Sequence, residues 1–400
     1  MSRKAAKQGL ALNRLRVFAA VAETGSMTEA AEALKLTQPA VSRAMHALEA
    51  SFGCRLVARS RRGCEATAEG AIASLRVQEF LRQVATALAD AAQPGGRDAS
   101  GGDLVRRLTT AQFEAILAIA KAPNLRAAAA RLGKSDSSVH RAARELERLL
   151  KTALYRRTPE GLSLSPAGSQ LARRLKLAAN EVAIARDECR QARGLRVPMG
   201  VVVGAPPLAP KRILARACEE LARLEPDSRV LVRESVYDEL IHALRNGDID
   251  VIFGALRRPP PFEDLQEEPL FTEPYVVVCR RGHPLSAAPA PEFSALGAFD
   301  WIYPAQAMPR RKVLENSVRE LGAQERANIE TSALDMTVAL LAGSDRISLL
   351  PSNCANDRGD LLAVIDVPIS QPQRWIGVTT RKNWLPTRAQ SVLLRALRQG

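Results

Sequence analysis

The sequence contains an internal repeat with a fixed offset of 98 residues. Sliding the sequence by that amount superimposes Ala30-Ala31 on Ala128-Ala129, Leu48-Glu49 on Leu146-Glu147, and Gly70 on Gly168. One register holds without a gap across about 59 residues, which chance rarely produces. The sequence therefore predicts one domain that is present twice.

The repeat divides the 400 residues into four predicted segments. We expect a helical domain at 10–92, a flexible Gly-rich linker at 93–103, a second helical domain at 104–194, and a third domain at 197–400. In the third domain short β-branched runs alternate with helical stretches, which indicates an α/β domain with a largely parallel sheet. The predicted fold class is α followed by α/β.

The positive charge is confined to the first half of the chain. Residues 1–196 hold 33 basic and 18 acidic side chains, whereas residues 197–400 hold 24 and 25. A cationic half joined to a neutral half indicates a module that binds a polyanion, fused to something else.

The first helical domain has the spacing of a winged helix-turn-helix. A capping box, Ser26-Met-Thr-Glu29, opens a second helix, and Thr37 is placed to cap a third helix that tolerates Pro39 in its first turn. That third helix would enter the major groove, where Gln and Arg contact base edges, and a two-stranded wing with three arginines would follow it. A helical bundle with a solvated basic face is the alternative. The predicted DNA-contacting residues are Ser26, Thr37, Gln38, Pro39, Ala40, Ser42, Arg43, His46, Arg59, Arg61 and Arg62.

The second copy keeps the scaffold but changes the outward face. Gln38 becomes Asp136, Pro39 becomes Ser137, and the wing acquires Glu160. The two added carboxylates weaken an attraction to phosphate. Two interpretations stay open. The copy contacts DNA with altered specificity, or it is structural and supplies its long helix, from about Pro166 to Arg193, for dimerisation through an apolar stripe. The substitutions favour the structural role. The possible contacts in this copy are Ser138, Arg141, Arg144 and Arg157.

The stretch GSMTEAAEALKLTQPAVSRAMHALEASFGCRLVARSRRGCEATAEG closely resembles the N-terminal domain of LysR-type transcriptional regulators. The shared positions are AA-x-x-L, S/T-Q-P-A-x-S-R, L-E, G-x-x-L-x-x-R and T-x-x-G. The third domain resembles the effector-binding domain of that family in RNGDIDVIFG, EPLFTEPYVVVCRRGHPL and GSDRISLLP, and VVVGAPPLAP is similar to the branch near the galactose-binding-protein regulator.

The resemblance implies an effector domain of two α/β subdomains joined by crossover strands, as in periplasmic solute-binding proteins. It also implies a homodimer or homotetramer. The second helical copy departs from the single-headed plan of the family.

Ligands of open α/β sheets bind beyond the carboxyl ends of the strands, where helix N-termini favour anions. We expect a second capping box at Ser332 to open a helix toward the same cleft. We interpret Arg310-Arg311-Lys312 as a solvated charge run, with contact to an anionic ligand as the alternative. The predicted effector-binding residues are Ala205, Pro206, Pro207, Leu208, Ser235, Phe253, Gly254, Ala255 and Ser332.

No catalytic constellation, phosphate loop or metal spacing stands out, so we expect no enzyme and no cofactor. His242 and His283 are expected to be structural or exposed. Six scattered cysteines, a basic start interrupted by Arg14 and Arg16, and the absence of a long apolar run predict a cytoplasmic protein without membrane spans.

The predicted function is sequence-specific binding of double-stranded DNA by a transcriptional regulator that responds to a small-molecule effector. An architectural DNA-binding protein without ligand sensing is the alternative. A solute-binding or enzymatic α/β protein ranks last, because the chain lacks both an export signal and catalytic groups.

Overall fold

The computed structural model describes residues 10–60, 63–92, 100–158, 161–286, 291–306, 308–320 and 329–400. The chain divides after Val197 into two compact units, which are described separately below. Among the helices of the described residues, none combines the length and the apolar character that a membrane crossing requires.

The first unit contains the same series of elements twice. In the first block (residues 10–92) these are α1 (Leu12–Thr24), α2 (Met27–Leu34), α3 (Gln38–Phe52), β1 (Val57–Ser60), β2 (Gly63–Ala66) and α4 (Ala68–Ala91). A short helix follows, α5 (Gly101–Arg107). In the second block (residues 104–194) the series is α6 (Thr110–Ala120), α7 (Leu125–Leu132), α8 (Asp136–Leu150), β3 (Tyr155–Thr158), β4 (Gly161–Leu164) and α9 (Pro166–Ala192).

Local sequence explains where these helices begin. The Ser26 side chain accepts a hydrogen bond from the Glu29 amide and caps α2. Thr37 stands at the N-cap position of α3 as expected, but within the described residues its side chain forms no cap bond. Pro39 stands in the first turn of α3, where helix amides lack intrahelical partners. Ser165 caps α9 through the Gly168 amide.

The predicted flexible linker at 93–103 is too long at its C-terminal end. Residues 93–99 lie outside the described part of the chain. Ser100 caps α5 through the Asp103 amide, and α5 begins at Gly101. Two glycines have poor helix propensity, but the serine cap and an acidic side chain in the first turn offset it.

The two blocks share one hydrophobic core. Helix α4 packs along α9, and a single cluster of buried side chains runs through both blocks. The apolar stripe that the sequence assigns to dimerisation lies within this core. Its members are Leu171, Leu175, Ala178, Val182 and Ala185, and all are buried. The partner of α9 is therefore α4 of the same chain.

The second unit is an α/β structure with sixteen strands and α-helices among the described residues. In chain order they are β5 (Gly200–Ala205), α10 (Lys211–Leu224), β6 (Arg229–Glu234), α11 (Tyr237–Asn246), β7 (Val251–Ala255), β8 (Leu265–Thr272), β9 (Tyr275–Arg280), β10 (Ile302–Pro304), α12 (Pro309–Glu320), β11 (Ile329–Thr331), α13 (Leu334–Ala342), β12 (Ser348–Pro351), α14 (Ser352–Asn356), β13 (Leu362–Ile365), β14 (Trp375–Arg381) and α15 (Arg388–Gln399).

The expectation of a largely parallel sheet is wrong for much of this unit. In the five-stranded sheet, with order β6-β5-β7-β14-β8, only β5 pairs in parallel, with β6 and β7. Strand β14 is antiparallel to both of its neighbours. The three-stranded sheet β12-β9-β13 is antiparallel, and β10 and β11 form a separate parallel pair. Buried strands of either direction are continuous apolar runs, so the sequence pattern locates strands without giving their direction.

Candidate DNA-contacting and effector-binding sites

Helix α3 separates its residues cleanly into a buried and an exposed side. Val41, Met45 and Leu48 are no more than 2% exposed. The opposite side, here called the α3 face, consists of Gln38, Ala40, Ser42, Arg43 and His46. Gln38, Arg43 and His46 are exposed, and Ala40 and Ser42 are half-buried. Within the described residues, Arg43 forms no hydrogen bond or ion pair, so its guanidinium is available to a ligand.

The segment that follows α3 is fastened to it by one carboxylate. Glu49 Oε1 accepts the Leu56 amide at 2.8 Å and the Val57 amide at 3.3 Å. Thr67 Oγ1 accepts the Gly70 amide at 2.9 Å and donates to the Arg55 carbonyl at 2.8 Å. These bonds hold the β1–β2 hairpin in a fixed relation to α3.

Gly70 is required by the close approach of two backbones. A Cβ at this position would lie 1.8 Å from the Leu56 carbonyl oxygen, which no side chain can satisfy. The L-E and T-x-x-G positions of the sequence motif thus have a structural explanation: they fix the hairpin beside α3.

The predicted wing is an antiparallel hairpin of β1 and β2, with Arg59 paired to Cys64. Arg61 and Arg62 lie outside the described residues, and the side chain of Arg59 does as well. Their predicted phosphate contacts therefore stay predictions. Ser26, at the start of α2, is half-buried.

The second block repeats this scaffold bond for bond. Glu147 Oε1 accepts the Leu154 amide at 2.9 Å and the Tyr155 amide at 3.0 Å. A Cβ on Gly168 would lie 2.0 Å from the Leu154 carbonyl oxygen. The bonds around Glu49 and Gly70 in the first block have the same partners, shifted by 98 residues.

The exposed side of α8 carries different chemistry. This α8 face consists of Asp136, Ser138, His140, Arg141 and Arg144, the positions that match the α3 face. Asp136, Ser138 and Arg141 are exposed. Arg144 is half-buried and donates to Glu147 at 2.6 Å. The side chain of Arg157 is outside the described residues.

In the second unit, the predicted effector residues fall into accessible and inaccessible ones. Ala205 and Phe253 are 2% and 0% exposed, so they belong to the core rather than to a surface that a ligand reaches. Pro206, Pro207, Leu208 and Ala255 are half-buried. A cavity of about 400 Å³ lies elsewhere, and none of the predicted effector residues lines it.

Two of the remaining predicted positions are tied to their surroundings. Gly254 is buried, and a Cβ there would lie 2.9 Å from Pro206 Cδ, so the ends of β5 and β7 meet closely. Ser235 donates to the Glu239 carboxylate. The expected capping box at Ser332 is wrong: α13 starts one residue later, with Ala333 at its N-cap and no side-chain cap bond.

A cationic group that sequence reasoning did not rank highly lies on α12, near Arg374, which contacts the loop after β5. Arg310 is 2% exposed, and its Nε and Nη1 atoms have no hydrogen-bond partner within the described part of the chain. Burial lowers its pKa, and the neighbouring Arg374 lowers it further, although Tyr275 and Cys354 oppose this. Arg374 pairs with the Glu273 carboxylate and donates to the Leu208 carbonyl at 3.4 Å. An unpaired buried guanidinium is costly, and an anion would satisfy it.

The interpretation of 310–312 as a solvated charge run is wrong for its first two residues. Arg311 is also buried, and it pairs with Glu315 at 2.5 Å and with Glu330 at 2.7 Å. Only Lys312 is exposed. Helical spacing turns two of three consecutive cations inward, which a count of charges along the sequence does not reveal.

The two histidines of this unit have structural surroundings. His283 is buried, accepts the Leu285 amide through Nδ1, and packs against Phe299 with ring centroids 4.6 Å apart and the rings tilted by 54°. His242 is exposed on α11.

Two family models match the chain. The model described as the bacterial regulatory helix-turn-helix protein of the lysR family matches residues 12–71 and again residues 110–169. The model of the LysR substrate binding domain matches residues 200–400.

Individual relatives cover the chain to different extents. The HTH-type transcriptional regulator GalR of Pseudomonas putida is 29% identical over 393 residues, which is 97% of this chain and 96% of that protein. The regulator PcaQ of Agrobacterium fabrum is 26% identical over 298 residues, covering 74% of this chain and 96% of its own. A full-length OxyR structure from Pseudomonas aeruginosa covers 72% of this chain and 99% of that one, at 22% identity and a TM-score of 0.44. Because the alignment with GalR spans nearly all of both chains, the second block has a counterpart in GalR.

Proposed function

Because the chain belongs to the LysR family of bacterial helix-turn-helix regulators, we propose that it regulates transcription by binding DNA through the α3 face. The carrying observation is that Gln38 and Arg43 are exposed, that Arg43 has no partner among the described residues, and that Glu49 and Gly70 fix the hairpin beside their helix. Gln and Arg side chains form paired hydrogen bonds to adenine and guanine edges in the major groove. A small molecule bound to residues 198–400 would alter this binding.

We further propose the finer architecture. Residues 10–92 and 104–194 are two winged helix-turn-helix domains, and residues 197–400 form an effector domain of two subdomains. The five-stranded sheet and the β9-centred sheet are the cores of those subdomains, since the chain crosses between them only after β8 and before β14. The assembled protein is a homodimer or homotetramer.

The effector is proposed to be anionic. Arg310 supports this, since a buried guanidinium whose Nε and Nη1 nitrogens have no hydrogen-bond partner among the described residues would be stabilised by an anion such as a carboxylate. Leu208 lies beside the same arginine pair through its contact with Arg374. Pro207 and Ala255 are the accessible apolar residues of the neighbouring strand ends.

A footprint of the purified full-length chain on the DNA upstream of its own gene tests the function. We expect protection of a defined site that persists when salt is raised to physiological strength, and its loss in the Arg43→Ala variant. If the chain instead coats DNA uniformly regardless of sequence, and salt abolishes that binding, an architectural protein without sequence specificity is favoured.

A separate measurement tests whether the effector is anionic. The same footprint is repeated with a panel of small aromatic and aliphatic carboxylates, each compared with its neutral amide. A carboxylate that changes the footprint, while its amide does not, supports an anionic effector. A change caused only by neutral compounds would contradict it.

A further inference from the structure

The contacts between α4 and α9 come in pairs that the 98-residue repeat relates. Arg76 donates to Glu188 at 2.6 and 2.9 Å, and Arg174 donates to the Asp90 carboxylate. Adding 98 to 76 and subtracting 98 from 188 converts the first pair into the second. In a two-fold (isologous) interface every contact occurs twice, with the two partners exchanged between the halves. The 76–188 and 174–90 contacts are related in this way.

Two further contacts lie where the axis of such an interface must pass. Gln83 Nε2 donates to Glu181 Oε1 at 3.5 Å, and the Leu12 amide donates to Thr110 Oγ1 at 3.3 Å. In both pairs the partners are equivalent positions of the two blocks. At the axis of a two-fold dimer each residue meets its own copy, and here it meets its repeat.

Charge favours this pairing over one between two chains through α9. Arg76 is 3% exposed and bonds to both Glu181 and Glu188. Consider instead two α9 helices from two chains that pair in the register that α4 and α9 have here. The two-fold axis would then pass between the two Glu181 side chains and bring their carboxylates together in a buried position. Like charges in a buried site are strongly unfavourable. Gln83 at the matching position of α4 removes that repulsion within one chain.

We infer that each chain carries a complete pair of DNA-reading heads, the α3 face and the α8 face, related by an internal pseudo-two-fold axis. The target is then double-stranded DNA with two half-sites that are inverted relative to each other and unlike in sequence. This inference rests on the proposed function and adds that one chain, rather than two, provides both heads of a pair.

The charge of the two blocks supports contact by the second face. Residues 104–194 hold 18 basic and 8 acidic side chains, whereas residues 10–92 hold 10 and 8. The block with the altered face therefore carries most of the positive charge. A block that served only to support the first would have no need of it, whereas contact with phosphates would use it.

The chemistry of the α8 face predicts a different base preference. Asp136 replaces Gln38, and a carboxylate accepts from the cytosine amino group instead of pairing with adenine. His140 replaces Ser42, while Arg141 keeps the guanine-directed group of Arg43. The two half-sites should thus share a position contacted by arginine and differ around it.

Cross-linking at the axis tests the intrachain pairing without DNA. We compare Gln83→Cys, Glu181→Cys and the double variant in the full chain under mild oxidation, with the wild type as the control for the native cysteines. Only the double variant should form the 83–181 disulfide, in a species of single-chain mass identified by its linked peptides. A cross-linked dimer from Gln83→Cys alone, or a double variant linked between two chains, would overturn the pairing.

Selection of bound sequences from random duplexes tests the unlike half-sites. For the wild type we expect two different inverted half-sites, with about one chain bound per pair by mass photometry. Arg43→Ala should relax the preference at one half-site and Arg141→Ala at the other, each with a loss of about tenfold or more in affinity. A perfect palindrome that Arg43→Ala weakens on both sides would overturn the inference. Failure to select any sequence would sink the proposed function itself, while the cross-linking result stands independently.

Discussion

Gln83 and Glu181 meet at 3.5 Å across the α4–α9 interface, although they are the same position of a repeated sequence. The first block has a glutamine at this position and the second block has a glutamate. The carboxylate of Glu181 is therefore buried beside Arg76, whose Nη1 donates to it at 2.9 Å. Breaking a buried ion pair by removing one partner leaves the other charge unpaired and costs about 3–5 kcal/mol. We therefore expect Arg76→Ala to destabilise the first unit by that amount in urea unfolding.

Arg82 supplies the matched control for that prediction. It pairs with Glu79 on the same helix, but its side chain is 46% exposed. Surface pairs contribute about 0–1 kcal/mol, so Arg82→Ala should have little effect. Equal losses from both variants would mean that α4 and α9 are not held together by the buried charges.

The carboxyl of Glu181 also predicts a pH dependence. Burial raises its pKa above the ordinary value of 4.5, against the opposing hydrogen bond and charge of Arg76. The folded state then holds this proton to a higher pH than the unfolded chain. The destabilisation caused by burying the ionised carboxylate is fully present above the folded-state pKa, and protonation relieves it as the pH falls toward 4.5. Relative to Glu181→Gln, the wild type should lose free energy of unfolding between pH 4.5 and pH 7. A difference that does not change across this range would contradict the raised pKa.

Glycine positions give a second test of the scaffold. A Cβ at Gly70 would lie 1.8 Å from the Leu56 carbonyl oxygen. Overpacking against backbone cannot relax, so Gly70→Ala should cost about 3 kcal/mol or more in the free energy of unfolding. In Gly102→Ala the new Cβ meets nothing closer than 3.8 Å, and replacing a helical glycine stabilises by about 0.5–1 kcal/mol. A tolerated Gly70→Ala would mean that the hairpin is not fixed as described.

The elements of the first unit could be predicted well from the sequence, because the two copies of the repeat give two sequence patterns for the same series of elements. The starts of α2, α4 and α9 follow from Ser26, Thr67 and Ser165, whose side chains all form cap bonds. The pairing of α4 with α9 could not be predicted in the same way. An amphipathic helix reveals that it needs a partner, but its pattern does not distinguish a partner in the same chain from one in another.

In the effector unit, the direction of strand pairing and the burial of one arginine could not be predicted from the sequence pattern. The β-branched run at 276–278 indicated β9, but its antiparallel pairing with β12 depends on where the chain crosses between sheets. The burial of Arg310 was missed because a run of three cations resembles a solvated surface. The signal that could have found it is the helical period, since Val313, Leu314 and Ser317 on the same helix are also buried.

Arg310 provides the test of an anionic effector site. Replacing an unpaired buried charge with an apolar side chain of similar length removes its desolvation cost. Arg310→Met should therefore raise the free energy of unfolding of the effector unit by at least about 1 kcal/mol, or its Tm by about 2–4 °C. The same variant should no longer change its footprint with any carboxylate that acts on the wild type. Lys312→Met, which alters an exposed cation two residues away, should change neither property. A lower Tm for Arg310→Met would show that the guanidinium is held by partners of the chain itself.

The difference between the α3 and α8 faces can be removed by design. Asp136→Gln, Ser137→Pro, Ser138→Ala and His140→Ser together give the first two turns of α8 the residues of α3, while Arg144 stays in the place of His46. The backbone should accept them, because Ser135 stands at the N-cap of α8 as Thr37 does for α3, and a proline is already tolerated at the matching position. If the inferred pairing is correct, sequences selected by this variant should approach a perfect inverted repeat of the half-site that Arg43 contacts. The reverse change, Gln38→Asp in the first block, should alter one half-site only. A selected sequence that stays unchanged in the four-residue variant would mean that the α8 face does not touch bases, and that its positive charge acts on the phosphates alone.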